Sequence, residues 1–104
     1  MRDIKKGMLV LDENFGLVDA GLSDDIWRQL QNEDMSQIAK WGFQKHGIFQ
    51  WLAFITEELG ELSEAISEYV YRDGDIDDIR KEAVQVATLA AKVAEMIGAK
   101  CVRR

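Results

Sequence analysis

Two long stretches of the chain repeat apolar residues at alternating steps of three and four. In the first, from Trp51 to Tyr71, the repeating positions are Leu52, Ile55, Leu59, Leu62, Ile66 and Tyr69. In the second, they are Ile76, Ile79, Ala83, Val86, Ala90, Val93 and Ile97. This spacing puts each set in one stripe along an α-helix. The polar residues between the stretches favour a tight turn, so the pattern predicts an antiparallel helical hairpin.

A third helix is predicted before the hairpin. Ser23, followed by two aspartates, is a favourable helix start, and the helix should run to about Lys40. Its apolar face consists of Trp27, Leu30, Ile38 and Trp41, and we expect both tryptophans in the core. Asp34 falls within this face, where we expect it to lean toward solvent rather than join a site. The last helix should end at Gly98, a suitable C-cap.

The first 22 residues have the least helical pattern. Apolar residues at 8–11 and 17–18 flank a polar segment, which suggests two short strands around a turn. We interpret this segment as an extension that packs on the helices or on a second subunit; the alternative is a disordered arm. The predicted organisation is therefore an N-terminal extension over 1–22 and an all-α domain over 23–104. Three such helices bury each other poorly, so we expect a homodimer or homotetramer that completes a four-helix-type bundle.

Composition narrows the class of protein. The chain has 104 residues, of which 47% are hydrophobic, enough for one modest core. Its net charge of −6 argues against a nucleic-acid surface. A single cysteine, Cys101, excludes an internal disulfide and a cysteine metal cluster. Without a long apolar run or a signal-peptide pattern, the sequence predicts a cytoplasmic protein with no membrane association.

Acidic residues follow the two stripes of the hairpin in a matching register. Glu58, Glu61, Glu82 and Gln85 each stand one position before a stripe residue. In an antiparallel pair, equal offsets fall on the same side of the seam, and counting from the turn puts the two pairs within about one helical turn in height. We therefore expect three carboxylates and one amide to converge beside the core.

Converging carboxylates repel one another and need a counter-charge. Oxygen ligands at i,i+3 spacing on facing helices suit a hard divalent cation, Mg²⁺ or Mn²⁺. The alternative for these glutamates is an ordinary solvated acidic face, because surface helices are rich in glutamate.

These same residues carry a resemblance to a known family. The segments Glu57-Glu58-Leu-Gly-Glu61 and Glu82-Ala-Val-Gln85 resemble the EExxE…ExxD signature of the MazG-like, all-α nucleoside triphosphate pyrophosphohydrolases. The resemblance covers roughly residues 36–97, and its upstream part is the run from Lys40 to His46 with the run from Phe49 to Glu58. It implies Mg²⁺-dependent hydrolysis of a nucleoside triphosphate to the monophosphate and pyrophosphate.

The resemblance also implies roles for individual residues. Matched by position, the metal ligands are Glu58, Glu61, Glu82 and Gln85, and Glu57 is a candidate for orienting or deprotonating the attacking water. Together Glu57, Glu58, Glu61 and Glu82 form the candidate catalytic set. Gln85 departs from the family pattern, which has Asp there. A glutamine oxygen can coordinate a cation, but it brings no charge.

The loop between Gly42 and Gly47 is a candidate substrate-binding region. Loops beside a rigid bundle often carry binding residues. We consider Lys40 for phosphate, Gln44 and His46 for a base or ribose, and Trp51 for stacking on a base. The alternatives are an ordinary surface role for the polar residues and, for the aromatics of the following helix, core packing, which we favour for Phe49, Trp51 and Phe54.

Two other functions fit the same sequence. One is a catalytically weak or silent relative that binds nucleotides, which the Gln85 departure favours; the other is a helical interaction module with a solvated acidic face. Magnesium-dependent nucleotide binding without turnover indicates the first. Absence of both binding and turnover indicates the second.

Overall fold

The computed structural model describes residues 15–98, which form three helices. They are α1 (Asp24–Trp41), α2 (Ile48–Arg72) and α3 (Ile76–Gly98). The all-helical class and the three helices within the described residues confirm the sequence prediction, whereas the predicted end of the last helix lies at the boundary of those residues. Over residues 15–98 none of the helices is long and apolar enough to cross a membrane.

Local capping explains where α1 begins and ends. The Ser23 hydroxyl accepts a hydrogen bond from the Ile26 N–H at 3.3 Å, which satisfies a free donor of the first turn. At the other end the backbone of Gly42 takes a positive φ of 75°, and its N–H donates to the Ile38 carbonyl at 2.7 Å. Glycine accepts this φ without strain, so the helix stops there.

The turn of the hairpin is fixed by three consecutive residues. Asp73 adopts a left-handed conformation with φ of 61°, and the Gly74 N–H donates to the Glu68 carbonyl at 2.8 Å. A Cβ on Gly74 would stand 3.0 Å from the Glu68 carbonyl carbon, so the close approach favours glycine. The Asp75 side chain accepts from the Asp77 N–H at 2.9 Å and caps the start of α3.

Helix α3 is the central element. Helix α2 packs along it to form the hairpin and α1 packs against it, whereas the backbones of α1 and α2 do not approach each other. Two ion pairs tie α1 to α3: Arg80 with Asp25 at 3.0 Å and Lys92 with Asp34 at 3.1 Å. The result is an open cleft between α1 and α2 with α3 as its floor.

The core coincides with the two predicted stripes only near the turn of the hairpin. Its buried hydrophobic residues are Trp51, Tyr69, Ile76, Val84 and Leu89, and no side chain of the described residues is completely buried. Of the thirteen stripe positions only Tyr69 and Ile76 are buried, while Leu52 and Leu59 are 54% and 52% exposed. The stripes therefore exist as predicted, but one chain covers them only in part.

Several aromatic residues do not pack as predicted. Trp27 and Trp41 are 54% and 58% exposed, so placing them in the core is wrong for a single chain. The same applies to Phe49, whereas Trp51 is buried as expected. The reason is that α1 contacts only α3, which leaves the outer part of its apolar face without a neighbouring helix.

The N-terminal segment is described from Phe15 onward. Phe15 packs edge-to-face on Tyr69 with ring centroids 5.7 Å apart, so this end of the segment contacts the hairpin. Residues 15–22 contain no strand, and Leu17 makes only an isolated bridge. The first predicted strand, over residues 8–11, lies outside the described residues.

Candidate metal centre

Three carboxylates converge on one side of the hairpin. Glu58 and Glu61 come from α2 and Glu82 from α3, and each offers an oxygen that lies within 4.8 Å of the other two. The convergence follows from the register of the sequence, because both helices place these residues one position before the apolar stripe. Glu58 and Glu82 are partly buried and Glu61 is exposed.

Gln85 bridges two of these acids. With the amide orientation that satisfies both of its ends, Nε2 donates to Glu58 Oε1 at 2.7 Å and to Glu82 Oε1 at 3.1 Å. The residue that departs from the family signature therefore lies in the cluster, as the hairpin register predicts. Since an amide nitrogen carries no formal charge, the bridge satisfies acceptors without neutralising the site.

The acids perturb one another. Partial burial, and then the charges of Glu61, Glu82, Glu57 and Glu33, raise the pKa of Glu58. Partial burial and the neighbouring Glu61 also raise the pKa of Glu82, although Lys81 opposes this rise. Like charges and desolvation both disfavour the ionised form of these two carboxyl groups.

A cleft of about 490 Å³ opens next to the cluster, between α1 and α2. Glu57, Glu58 and Gln85 line one part of it, while Glu61 and Glu82 do not line it. Of the predicted substrate-binding residues, Lys40, Gln44 and Trp51 also line the cleft. The acid cluster therefore stands at the edge of a cavity of the size that small ligands use.

His46 takes a different position from the other substrate-binding candidates. It is not among the residues that line the cleft, and its ring packs edge-to-face on Trp51 at 5.2 Å and on Phe54 at 5.0 Å. Its Nε2 is 2.7 Å from Gln44 Oε1. In this geometry His46 packs on the aromatic side chains of α2 and contacts Gln44, and these residues do line the cleft.

The sequence analysis missed several residues of the cleft, among them Glu33, Gln37 and Lys92. Glu33 and Gln37 of α1 face it, and Gln37, only 7% exposed, donates to Glu33 at 2.8 Å. Lys92 of α3 lines it as well, held by Asp34. We weighed Asp34 as a further acid, but its partner is Lys92, and Glu33 is the acid of α1 whose charge reaches Glu58. The i,i+4 spacing of Glu33 and Gln37 indicates that both lie on one side of α1. That this side faces the cleft is shown only by the way α1 packs on α3.

The donor set fits a hard divalent cation. Such ions take carboxylate and carbonyl oxygens, and opposite ligands of an octahedral Mg²⁺ stand about 4.2 Å apart. Carboxylate oxygens within 4.8 Å of one another need only small side-chain rotations to share an ion. The raised pKa of Glu58 and of Glu82 gives the physical reason why a cation would be favoured here.

Comparison of the chain with protein-family models, with curated proteins and with solved structures found no match.

Proposed function

We propose that the protein is a Mg²⁺-dependent nucleoside triphosphate pyrophosphohydrolase of the MazG-like type. The observation that carries the proposal is the convergence of Glu58, Glu61 and Glu82 within 4.8 Å at the edge of a ligand-sized cleft. The motif spacing supports the same conclusion independently of the coordinates. Mn²⁺ is the expected substitute, because it shares the preference for oxygen ligands.

In this proposal the three carboxylates hold the cation and Glu57 acts on water. A bound Mg²⁺ neutralises the polyphosphate and lowers the pKa of a coordinated water. Glu57 lines the cleft one residue before Glu58, so its carboxylate can orient or accept a proton from a water that attacks a phosphate held there.

The rest of the cleft supplies the groups that a nucleoside needs. Trp51 and Phe54 meet edge-to-face at 5.7 Å and form an aromatic wall against which a base can pack. Lys40 and Lys92 provide ammonium groups for phosphate or for carbonyl groups of a base. Gln44 adds an amide near the wall, positioned by His46.

One observation favours a second candidate, a nucleotide-binding relative with weak or no turnover. Gln85 Nε2 donates to two of the three acids, so the amide occupies part of the space between them and turns its donor, not its acceptor, toward the metal position. Coordination by Gln85 would require the amide to rotate. Such a rotation breaks both hydrogen bonds, which weakens metal binding compared with an aspartate at this position.

The proposal includes self-association as a homodimer or homotetramer and a cytoplasmic location. All candidate catalytic residues come from one chain, so self-association would complete the core rather than the site. The partly covered stripes of α2 and α3 support it.

A pyrophosphate-release screen over nucleoside triphosphates, with Mg²⁺ and with Mn²⁺, tests the proposal. We expect release of pyrophosphate and monophosphate that stops when the cation is chelated. Calorimetry with a non-hydrolysable triphosphate accompanies the screen. Mg²⁺-dependent binding without release would select the silent relative, and absence of both binding and release would contradict a nucleotide site altogether.

A further inference from the structure

Helix α1 directs a hydrogen-bonded pair of side chains, Glu33 and Gln37, toward the cleft. Such i,i+4 pairs are common on helix surfaces, where water surrounds both side chains. Here Gln37 is only 7% exposed, and it is one of two buried polar residues among those that the structure describes. The other, Thr88, is satisfied by the Val84 carbonyl at 2.7 Å. We call Glu33 and Gln37 the α1 pair.

The amide of Gln37 is satisfied at only one end. Its Nε2 donates to Glu33 at 2.8 Å, whereas none of the described residues donates a hydrogen bond to its Oε1. A mostly buried carbonyl without a donor is unfavourable unless water or a ligand supplies one. Because Gln37 lines the cleft, a molecule bound there can donate to it.

The α1 pair lies across the cleft from the aromatic side chains of α2. Gln85 contacts Glu58 in the hairpin. Seven residues further from the turn on each helix, Trp51 is therefore level with Lys92. Asp34 contacts Lys92 at 3.1 Å, so the neighbours of Asp34 in α1 are at this height too. The two walls thus face each other roughly 10 Å along the helix axis from the acid cluster, a separation that the sugar and first phosphate of a nucleotide span.

The α1 pair offers hydrogen-bond acceptors to a base held at that height. Both oxygens of a carboxylate accept, and so does the carbonyl of an amide. Uracil and thymine place two carbonyl groups beside a single ring N–H, and cytosine and adenine place an acceptor nitrogen beside their amino group. Guanine alone among these bases has two adjacent donors, the N1–H and the 2-amino group, which match the two oxygens of one carboxylate.

We propose that the cleft selects guanine nucleotides, with the Glu33 carboxylate accepting from the N1–H and the 2-amino group of the base. Gln37 holds this carboxylate in position through Nε2. The ring system packs on Trp51 and Phe54, and the O6 oxygen of guanine accepts from the Lys92 ammonium at the same height. This selectivity rests on the proposed function, because it names the substrate class of the same cleft.

The competing role for Glu33 is an indirect one at the metal. Burial first, and then neighbouring charges with Glu33 among them, raise the pKa of Glu58. Removing the charge of Glu33 through this route would change metal binding for every triphosphate alike. Recognition of the base instead changes the affinity for one base relative to another. The ratio of affinities between bases therefore distinguishes the two roles.

Calorimetry in Mg²⁺ with non-hydrolysable analogues of guanosine, inosine, adenosine, cytidine and uridine triphosphates tests the selectivity. Hypoxanthine, the base of inosine, differs from guanine only by lacking the 2-amino group. We expect the guanosine analogue to bind tightest, roughly 10- to 100-fold tighter than the inosine analogue, because one hydrogen bond to a charged acceptor is lost. Equal affinity for these two, or tighter binding of another base, would overturn the selectivity and leave the proposed hydrolysis standing. Binding of none would overturn both.

Glu33→Gln tests the carboxylate itself. It keeps the shape of the side chain but replaces one acceptor oxygen by a donor, which meets a donor of guanine. We expect the guanosine-to-inosine affinity ratio to fall close to one in Glu33→Gln. It should keep the parent value in Glu64→Gln, an exposed glutamate that does not line the cleft. Equal weakening of all analogues by Glu33→Gln, or no change in any, would assign no base to Glu33 and overturn the inference.

Gln37→Met tests the supporting hydrogen bond by the same ratio. Methionine has a similar volume but neither donates to Glu33 nor accepts from the base. We expect a guanosine-to-inosine ratio between those of the parent and of Glu33→Gln, because the carboxylate is present but no longer held. A parent-like ratio would overturn the role of Gln37.

Discussion

The same two helices present opposite chemistry on their two sides. On the side of the cleft, acids from α2 and α3 converge, the pKa values of Glu58 and Glu82 are raised, and polar residues of α1 face them. On the opposite side, the apolar stripes of the same helices carry only uncharged residues, some of them exposed and the rest partly buried apart from Tyr69 and Ile76. Local sequence supports both sides equally well as helix, so the two sides differ in side-chain chemistry and not in helix formation.

The largest expected effect is on the cleft side. Glu58→Gln keeps the shape of the side chain and removes one carboxylate, so we expect Mg²⁺ affinity and pyrophosphate release to fall at least as far as the roughly 10- to 100-fold loss known for outer-shell changes. The metal-free protein should become more stable, because a repelled charge is gone. Calorimetry and a release assay measure both. Glu64→Gln, an exposed position of the same helix, is the matched control and should change neither; an unaffected Glu58→Gln would reduce the cluster to a surface feature.

The next effect concerns the apolar stripes on the opposite side and is a stability change. Leu59 is 52% exposed in one chain, so Leu59→Ala should cost about 0.5 kcal/mol or less if that surface stays in water. Covered by a second copy, Leu59 becomes a core residue and the cost rises to about 2–4 kcal/mol per chain. Urea unfolding at several protein concentrations distinguishes the two, since unfolding of a dimer depends on concentration. Met35→Ala, on the exposed side of α1, serves as control. A cost below about 1 kcal/mol would remove the distinction between the two sides of the hairpin.

A third test uses Gln85, where the cleft side departs from the family pattern. Gln85→Asp removes two hydrogen bonds and adds a fourth like charge, so the metal-free protein should lose roughly 1 kcal/mol, or about 4–8 °C in Tm. Saturating Mg²⁺ should raise the Tm of Gln85→Asp more than that of the parent, because tighter binding stabilises the folded state by mass action. Gln85→Asn separates charge from shape. Should Gln85→Asp gain no more from Mg²⁺ than the parent, residue 85 does not contact the metal.

The smallest expected effect is a pH dependence confined to the cleft side. The pKa values of Glu58 and Glu82 are raised in the folded chain, so this chain binds protons more tightly than the unfolded one. Their stabilising contribution is complete below the unfolded value of about 4.3 and is lost as pH rises through the raised folded values. The difference in Tm between Glu58→Gln and the parent, measured across this range without divalent ions, should therefore grow with pH. Mg²⁺ should abolish the trend. A difference that does not change with pH would mean that folding does not raise the pKa of Glu58.

The helices and the register of the acids follow from local features of the sequence. Ser23, Gly42, Gly74 and Asp75 act within a few residues of themselves, so their capping and turn roles are visible without a structure. The hairpin joins neighbouring helices through a three-residue turn, and its register follows from counting. That is why Glu58, Glu61, Glu82 and Gln85 were found before their positions were known. The capping signals did not determine the start of α2, which begins at Ile48 without a side-chain cap.

The position of α1 and the surfaces that remain exposed depend on packing between distant parts of the chain, so they were not predictable from local sequence. Helix α1 lies on α3 alone, held partly by Arg80 and Lys92, and this choice opens the cleft, exposes Trp27 and Trp41, and directs Glu33 rather than Asp34 toward the acids. An amphipathic pattern specifies that a face must be covered, but it does not specify by which neighbour, because several apolar surfaces offer similar burial. The stripes of α2 and α3 illustrate the same point. Their spacing identifies the apolar face of each helix, but the structure is needed to see that one chain covers this face only in part.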